Sequence, residues 1–134
     1  MTMTKKEMIL EAIESFGYKP VVDDDGDIYV RFQMKNIYFI AGQEDEPYVM
    51  AFLPQFSDVK EGEETFTLAV CNKVTREMKL AKVYIDQTLK NVSASCEFFY
   101  NDAESLKVNV GHALNILGMI RSAYFKAKAE LSDC

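Results

Sequence analysis

The stretch over residues 63–100 constrains this chain most, because its apolar residues change period with no break between. Phe66, Val70, Val74 and Met78 fall four apart with Ala69 beside them, the stripe of an amphipathic helix. From Leu80 the pattern alternates instead: Ala81, Val83 and Ile85 face one way, and Leu80, Lys82 and Tyr84 the other. A turn over 86–91 returns the chain as Val92, Ala94, Cys96 and Phe98 against Ser93, Ser95, Glu97 and Phe99. A helix running into a hairpin, each with one apolar side, buries those sides by packing them on one another.

The flanking segments read the same way. Thr4 and Glu7 have capping-box spacing, and Ile9, Ala12, Ile13 and Phe16 repeat at three and four residues, predicting a first helix that Gly17 and Pro20 stop. Strict alternation then sets Ile28, Val30, Phe32 and Met34 against Tyr29, Arg31 and Gln33. Lys35-Asn36 is the expected reversal into a second strand, with Ile37, Phe39 and Ala41 opposite Tyr38 and Ile40. Residues 48–53 are apolar on both sides, as in a strand that is covered twice or lies in mid-sheet, and Pro54 is expected to end its ladder.

The last segment, about 102–131, predicts one helix of roughly 45 Å at 1.5 Å per residue. Leu106, Val110, Ala113, Leu117, Ile120 and Tyr124 form its core stripe. A second stripe, His112, Ile116, Met119 and Ala123, lies about 120° away around the helix. The expected fold is therefore α+β: one two-layer domain over residues 1–134 in the order α-β-β-β-α-β-β-α. Its sheet is five-stranded and mainly antiparallel, with the helices on one face.

Charge and composition narrow the function. At -6 the chain lacks the basic stripe that a nucleic-acid partner demands. Its acids gather in turns: Asp23, Asp24, Asp25 and Asp27 around Gly26, then Glu44-Asp45-Glu46, then Glu61, Glu63 and Glu64. No apolar run approaches the ~20 residues of a membrane span. Cys71, Cys96 and Cys134 are too few and too scattered for a disulfide framework, so a reduced, cytoplasmic setting is expected.

Catalysis and metal binding find no support in the residue pattern. The single histidine, His112, sits inside a helix without a motif, and the glycine-rich and nucleophile-elbow signatures are absent. Aligned to a calcium loop with Gly26 sixth, Asp23, Asp25 and Asp27 match ligand positions, but Val21 stands first and Phe32 twelfth, where the bidentate glutamate belongs. No Cys-x-x-Cys pair offers zinc. The expectation is no enzyme, no cofactor and no metal.

Two surfaces remain after the core is assigned. One is the outer sheet face, with Tyr29, Arg31, Gln33, Tyr38, Ile40, Lys82, Tyr84, Ser93, Ser95 and Glu97. Tyrosine and arginine suit recognition because each joins contact area to hydrogen-bonding capacity. The other is the second stripe of the last helix, which fits either a helix packed on two sides within the monomer or a surface for a protein partner or a homodimer. The candidate partner-binding residues are thus Tyr29, Arg31, Tyr38, Lys82, Tyr84, His112, Ile116, Met119 and Ala123. A rival class is a small-ligand sensor with an apolar pocket between sheet and helices, lined by residues such as Phe32, Phe39 and Phe66.

The patches Leu68-Ala69-Val70-Cys71-Asn72-Lys73-Val74 and Lys79-Leu80-Ala81-Lys82-Val83-Tyr84-Ile85-Asp86 resemble the YbjN family of bacterial proteins, described as candidate sensory transduction regulators. Gly17-Tyr18 followed by Asp24-Asp25-Gly26-Asp27-Ile28 is similar to the segment between that family's first helix and first strand. The resemblance implies the fold of type III secretion chaperones, small acidic proteins, usually dimeric, that hold partner polypeptides against apolar surface. It implies no catalytic residues. Family members often carry a second asparagine three residues after the one matched by Asn72; Thr75 stands here instead. The resulting expectation is a noncatalytic, chaperone-like or regulatory protein-binding module.

Overall fold

The computed structural model describes residues 3–133. In order, these form α1 (Lys5–Ser15), β1 (Val21–Val22), β2 (Ile28–Phe32), β3 (Lys35–Ile40), β4 (Tyr48–Asp58), α2 (Glu64–Glu77), β5 (Ala81–Ile85), β6 (Asn91–Phe99) and α3 (Ala103–Ser132). The strands make one sheet in the order β1-β2-β3-β4-β6-β5, antiparallel at every pairing. Six strands rather than five are present. The extra one, β1, has only two residues, both exposed, so it carries no alternation to read.

The inner face of the sheet supplies Ile28, Val30, Ile37, Phe39, Val49, Ala51, Val83, Val92 and Ala94, all buried, and the three helices cover it. Helix α3 crosses the middle of the helical layer, with α1 and α2 each packed against it. Its predicted core stripe is buried throughout, from Leu106 to Tyr124. Gly118 is what allows α3 so close to the sheet. A Cβ there would sit 2.7 Å from Phe32 Cε2 and 3.0 Å from Gln33 Oε1, inside any van der Waals contact.

Several local expectations need correction. The β2–β3 turn is Gln33-Met34, not Lys35-Asn36; both turn residues have positive φ (49° and 67°), as a two-residue hairpin matching strand twist requires. Met34 consequently projects into solvent instead of continuing the buried side of β2. Leu80 likewise has positive φ (64°) and is exposed, so β5 begins one residue later. On α2 the buried residues are Thr67, Val70, Cys71 and Val74, while Ala69 is exposed. The acidic turn is an ordinary Asx turn: Asp23 Oδ1 accepts from the backbone amides of Asp25 (3.0 Å) and Asp27 (2.9 Å).

Lys5 is wholly buried, a role its place in the first turn of a charged helix start did not signal. Its Nζ donates to the carbonyls of Ala41 (2.6 Å), Gln43 (2.7 Å) and Tyr48 (3.1 Å), and its backbone amide donates to Glu44 Oε1 (2.8 Å). Three carbonyls of one loop thereby converge on the start of α1. A buried ammonium with every proton accepted is tolerable, whereas the same carbonyls without it are orphaned. Lys5→Met keeps the stem but not the donors, and is expected to lower unfolding stability by roughly 2–5 kcal/mol. Urea denaturation checks this as a lower midpoint at unchanged slope.

Candidate functional site

The helices leave the other face of the sheet uncovered. Backbone register places one row of outward residues across all six strands: Val21, Tyr29, Tyr38, Phe52, Ser95 and Lys82. The Tyr29 and Tyr38 rings lie 5.2 Å apart, and Ile40, Met50 and Phe52 continue the apolar surface, half-buried by one another. Arg31 is exposed and donates to Asn36 Oδ1 at 3.2 Å across the hairpin. Lys82 pairs with Glu97 on the next strand, which holds its ammonium pKa above the usual lysine value.

Ser93 and Ser95, which the alternation assigns to the outer face, are both fully buried. Register sets Ser95 between Phe52 and Lys82, and Ser93 beside Tyr84, so each small side chain has larger cross-strand neighbours. Ser93 Oγ accepts from the backbone amide of Gln55 (2.9 Å), while Ser95 Oγ lacks a full hydrogen bond, though the Tyr84 hydroxyl feels it. Tyr84 is half-buried, and loss of hydration raises its phenol pKa.

Pro54 ends the pairing with β3 as expected, but not the strand. Beyond Pro54, β4 continues to Asp58 along β6, after a register shift between Leu53 and Ser57 in which Gln55 adopts φ 45°. The ladder between β3 and β4 runs only over Tyr38↔Phe52, Phe39↔Ala51 and Ile40↔Met50. Proline has no amide to offer β3, and the bulge turns Gln55 toward Ser93, so the two strands part below Tyr38.

A hollow of about 370 Å³ opens where they part, walled by Arg31, Lys35, Tyr38, Pro54, Phe56 and Arg121. A second, of about 450 Å³, lies beside it between Phe52, Pro54 and Tyr84 and the β5–β6 turn. A third, of about 600 Å³, lies between α2 and β5, lined by Leu68, Cys71, Asn72, Thr75, Tyr84, Ile85 and Leu89. The first two share Pro54, and the last two share Tyr84 and Ile85. From β2 to β5 are four inter-strand spacings, about 19 Å, or about six residues of extended chain.

The third hollow is the apolar space between helix and sheet, displaced from where the sequence put it. Phe32 and Phe39 are sealed in the core and Phe66 packs against it; the open space instead follows the free edge of β5. There the Thr75 hydroxyl accepts from Val83 N (2.8 Å) and donates to Val83 O (3.2 Å), capping both backbone groups of an edge residue. The position that departs from the resembled pattern therefore has a definite structural task. Cys71 and Cys96 are buried, and burial pushes the Cys71 thiol up to about 11 and raises Cys96 as well, which disfavours the nucleophilic thiolate. Cys134 lies outside the described residues.

The second stripe of α3 is divided. Ile116 and Ala123 are half-buried against the core, whereas His112 and Met119 are exposed. Sheet face and stripe lie on opposite layers, so the sequence-predicted residues form two groups: Tyr29, Arg31, Tyr38, Lys82 and Tyr84 in one, and His112, Ile116, Met119 and Ala123 in the other. Leu68, Leu89, Pro54 and Arg121 were missed. They border the hollows only because of edge position, the bulge and the depth of α3. Among the described residues no group of three His, Cys, Asp or Glu side chains is placed to hold a metal, and no helix is long and apolar enough to cross a membrane.

Thr75→Val removes both hydrogen bonds at the β5 edge with little change of volume. It is expected to cost about 1–2 kcal/mol and to speed amide exchange at Val83 by about tenfold, while Thr75→Ser preserves both values. Native-state hydrogen exchange with a thermal melt checks both.

Comparison with known proteins agrees with this fold. No curated protein matches the chain. Among solved structures it is similar to YbjN from E. coli, with a TM-score of 0.61 at 9% sequence identity, over 90% of this chain and 89% of that one. That likeness concerns the fold. The model of the family described as T3SS (YopN, CesT) and YbjN peptide-binding chaperone 1 matches residues 4–114. With most of its length accounted for by that model, the chain belongs to the T3SS and YbjN peptide-binding chaperone family.

Proposed function

We propose that this protein is a noncatalytic module that holds an extended segment of a partner polypeptide across the outer face of its sheet. The observation that supports the reading best is the sequence of shared walls: Pro54 borders the first two hollows, and Tyr84 and Ile85 border both the second and the hollow between α2 and the edge of β5. Tyr38 borders the track at one end and Tyr84 joins its last two hollows. Alternate side chains of an extended peptide fall on one side, so successive hollows suit successive inward side chains. The family's peptide-binding description agrees with such a role.

The small-ligand reading keeps one observation in its favour, the mainly apolar hollow between α2 and β5 with Asn72 and Glu64 at its wall. The two readings separate on Tyr38, which borders the hollow farthest from that groove. Selection from a random short-peptide library on immobilised protein is expected to fall by about tenfold for Tyr38→Ala and for Tyr84→Ala. Equal recovery by both variants and the unaltered protein counts against the sheet-face track.

Self-association would use the exposed part of the α3 stripe, His112 and Met119. Met119→Asp places a charge there and is expected to convert a dimer to a monomer in light scattering. A monomer mass for both proteins removes the dimer.

A further inference from the structure

We propose that the hollow between the β2–β3 hairpin, the β4 bulge and α3 is a carboxylate pocket that receives an acidic side chain of the bound polypeptide. The inference rests on the peptide-binding reading and gives it a chemical preference. In a chain with 21 acidic and 15 basic residues, this wall gathers Arg31, Lys35 and Arg121 and includes no acid. Among the described residues none of these three is in an ion pair. Arg31 touches the Asn36 amide oxygen, Lys35 donates to the Gln33 carbonyl at 3.0 Å, and Arg121 rests over the Phe125 ring at 5.6 Å. Each contact orients a cation without neutralising it.

Three separate features of the fold bring these charges together. The two-residue turn at Gln33-Met34 sets Arg31 and Lys35 on neighbouring strands near one hairpin tip. Pro54 opens the ladder between β3 and β4 and makes room. Gly118 lets α3 approach Phe32 and Gln33, which delivers Arg121, one helical turn on, to the same space. Tyr38 and Phe56 add ring surface beside these cations, against which the aliphatic part of an acidic side chain can rest while its carboxylate meets a guanidinium fork. Farther along the track the wall residues carry the opposite sign, Asp86 in the second hollow and Glu64 in the third. A peptide bound along it therefore has a preferred direction, with its acidic residue at the hairpin end.

The test uses the full chain and two capped probes, acetyl-Phe-Glu-amide and acetyl-Phe-Gln-amide, titrated while backbone amide shifts are followed. The glutamate probe is expected to move the amides of Lys35, Asn36 and Arg121 and to bind about tenfold more tightly than its glutamine counterpart, an advantage that shrinks as salt rises. In the double variant Arg31→Gln, Arg121→Gln the two probes are expected to bind with equal affinity and the salt dependence of the difference between them to vanish. Both arginines are exposed, and an unchanged amide spectrum away from the pocket establishes that the variant is folded. Equal affinity for the two probes, or no response at the pocket amides, overturns the proposal. So does saturation by inorganic phosphate below the concentration at which the glutamate probe acts, because the pocket is then a phosphate site. If glutamate discrimination holds while Tyr38→Ala and Tyr84→Ala leave library selection unchanged, the pocket stands and the sheet-face track falls. Library selection lost with Tyr38→Ala and Tyr84→Ala but without glutamate discrimination leaves the track and removes the pocket.

Discussion

Strand β4 has to serve two neighbours, and the arrangement of the outer face depends on where it stops serving one of them. Over residues 50–52 it is bonded to β3 on one side and β6 on the other, and its side chains Met50 and Phe52 carry the apolar surface from one half of the sheet to the other. At Pro54 the amide that β3 would need does not exist. The bulge that follows sends the Gln55 amide to Ser93, and β4 finishes as a partner of β6 alone. An uninterrupted ladder would have closed the space between Tyr38 and Phe56. One missing donor thus sets the position of a recess that continues toward β5.

The opposite face is governed by closeness. α3 runs the length of the domain and seals the core between α1 and α2, and its distance from the hairpin is set where a side chain is missing, at Gly118. Lys5 performs the corresponding task at the other end of the sheet, where its ammonium gathers the loop that leads from β3 to β4. Both are unforgiving of substitution for the same reason. A close-packed interior accepts neither an added methyl group nor an unpaired carbonyl without local movement. The edge at β5 is managed more lightly, by a hydroxyl from α2 that satisfies Val83 and leaves the neighbouring groove open.

The peptide-binding description of the family accords with what these constraints leave exposed. Both described cysteines are buried, which raises their thiol pKa values, and His112 stands on α3 away from the sheet face. The remaining surface is a run of aromatic, aliphatic and arginine side chains on an antiparallel sheet, with recesses beside Pro54 and Tyr84. Membership of a peptide-binding chaperone family is consistent with that inventory.

The amino-acid sequence by itself determined the elements and which sides of them are apolar. The four-residue spacing of Val70 and Val74, the alternation from Ala81 to Phe98 and the capping box at Thr4 are local signals, and local signals survive reading one residue after another. They sufficed for the α+β class, the helices on one face and the tyrosines on the other. The tertiary structure alone decided what depends on pairs of residues far apart in the chain. β1 pairs with the edge that β2 offers, and the buried Ser93 and Ser95 lie beside larger cross-strand neighbours, Tyr84, Phe52 and Lys82. Arg121 joins Arg31 and Lys35 because a glycine on one element meets a phenylalanine on another. Periodicity records which face of an element is apolar; it carries no information about how closely two faces approach, and the recesses of this protein are made of such approaches.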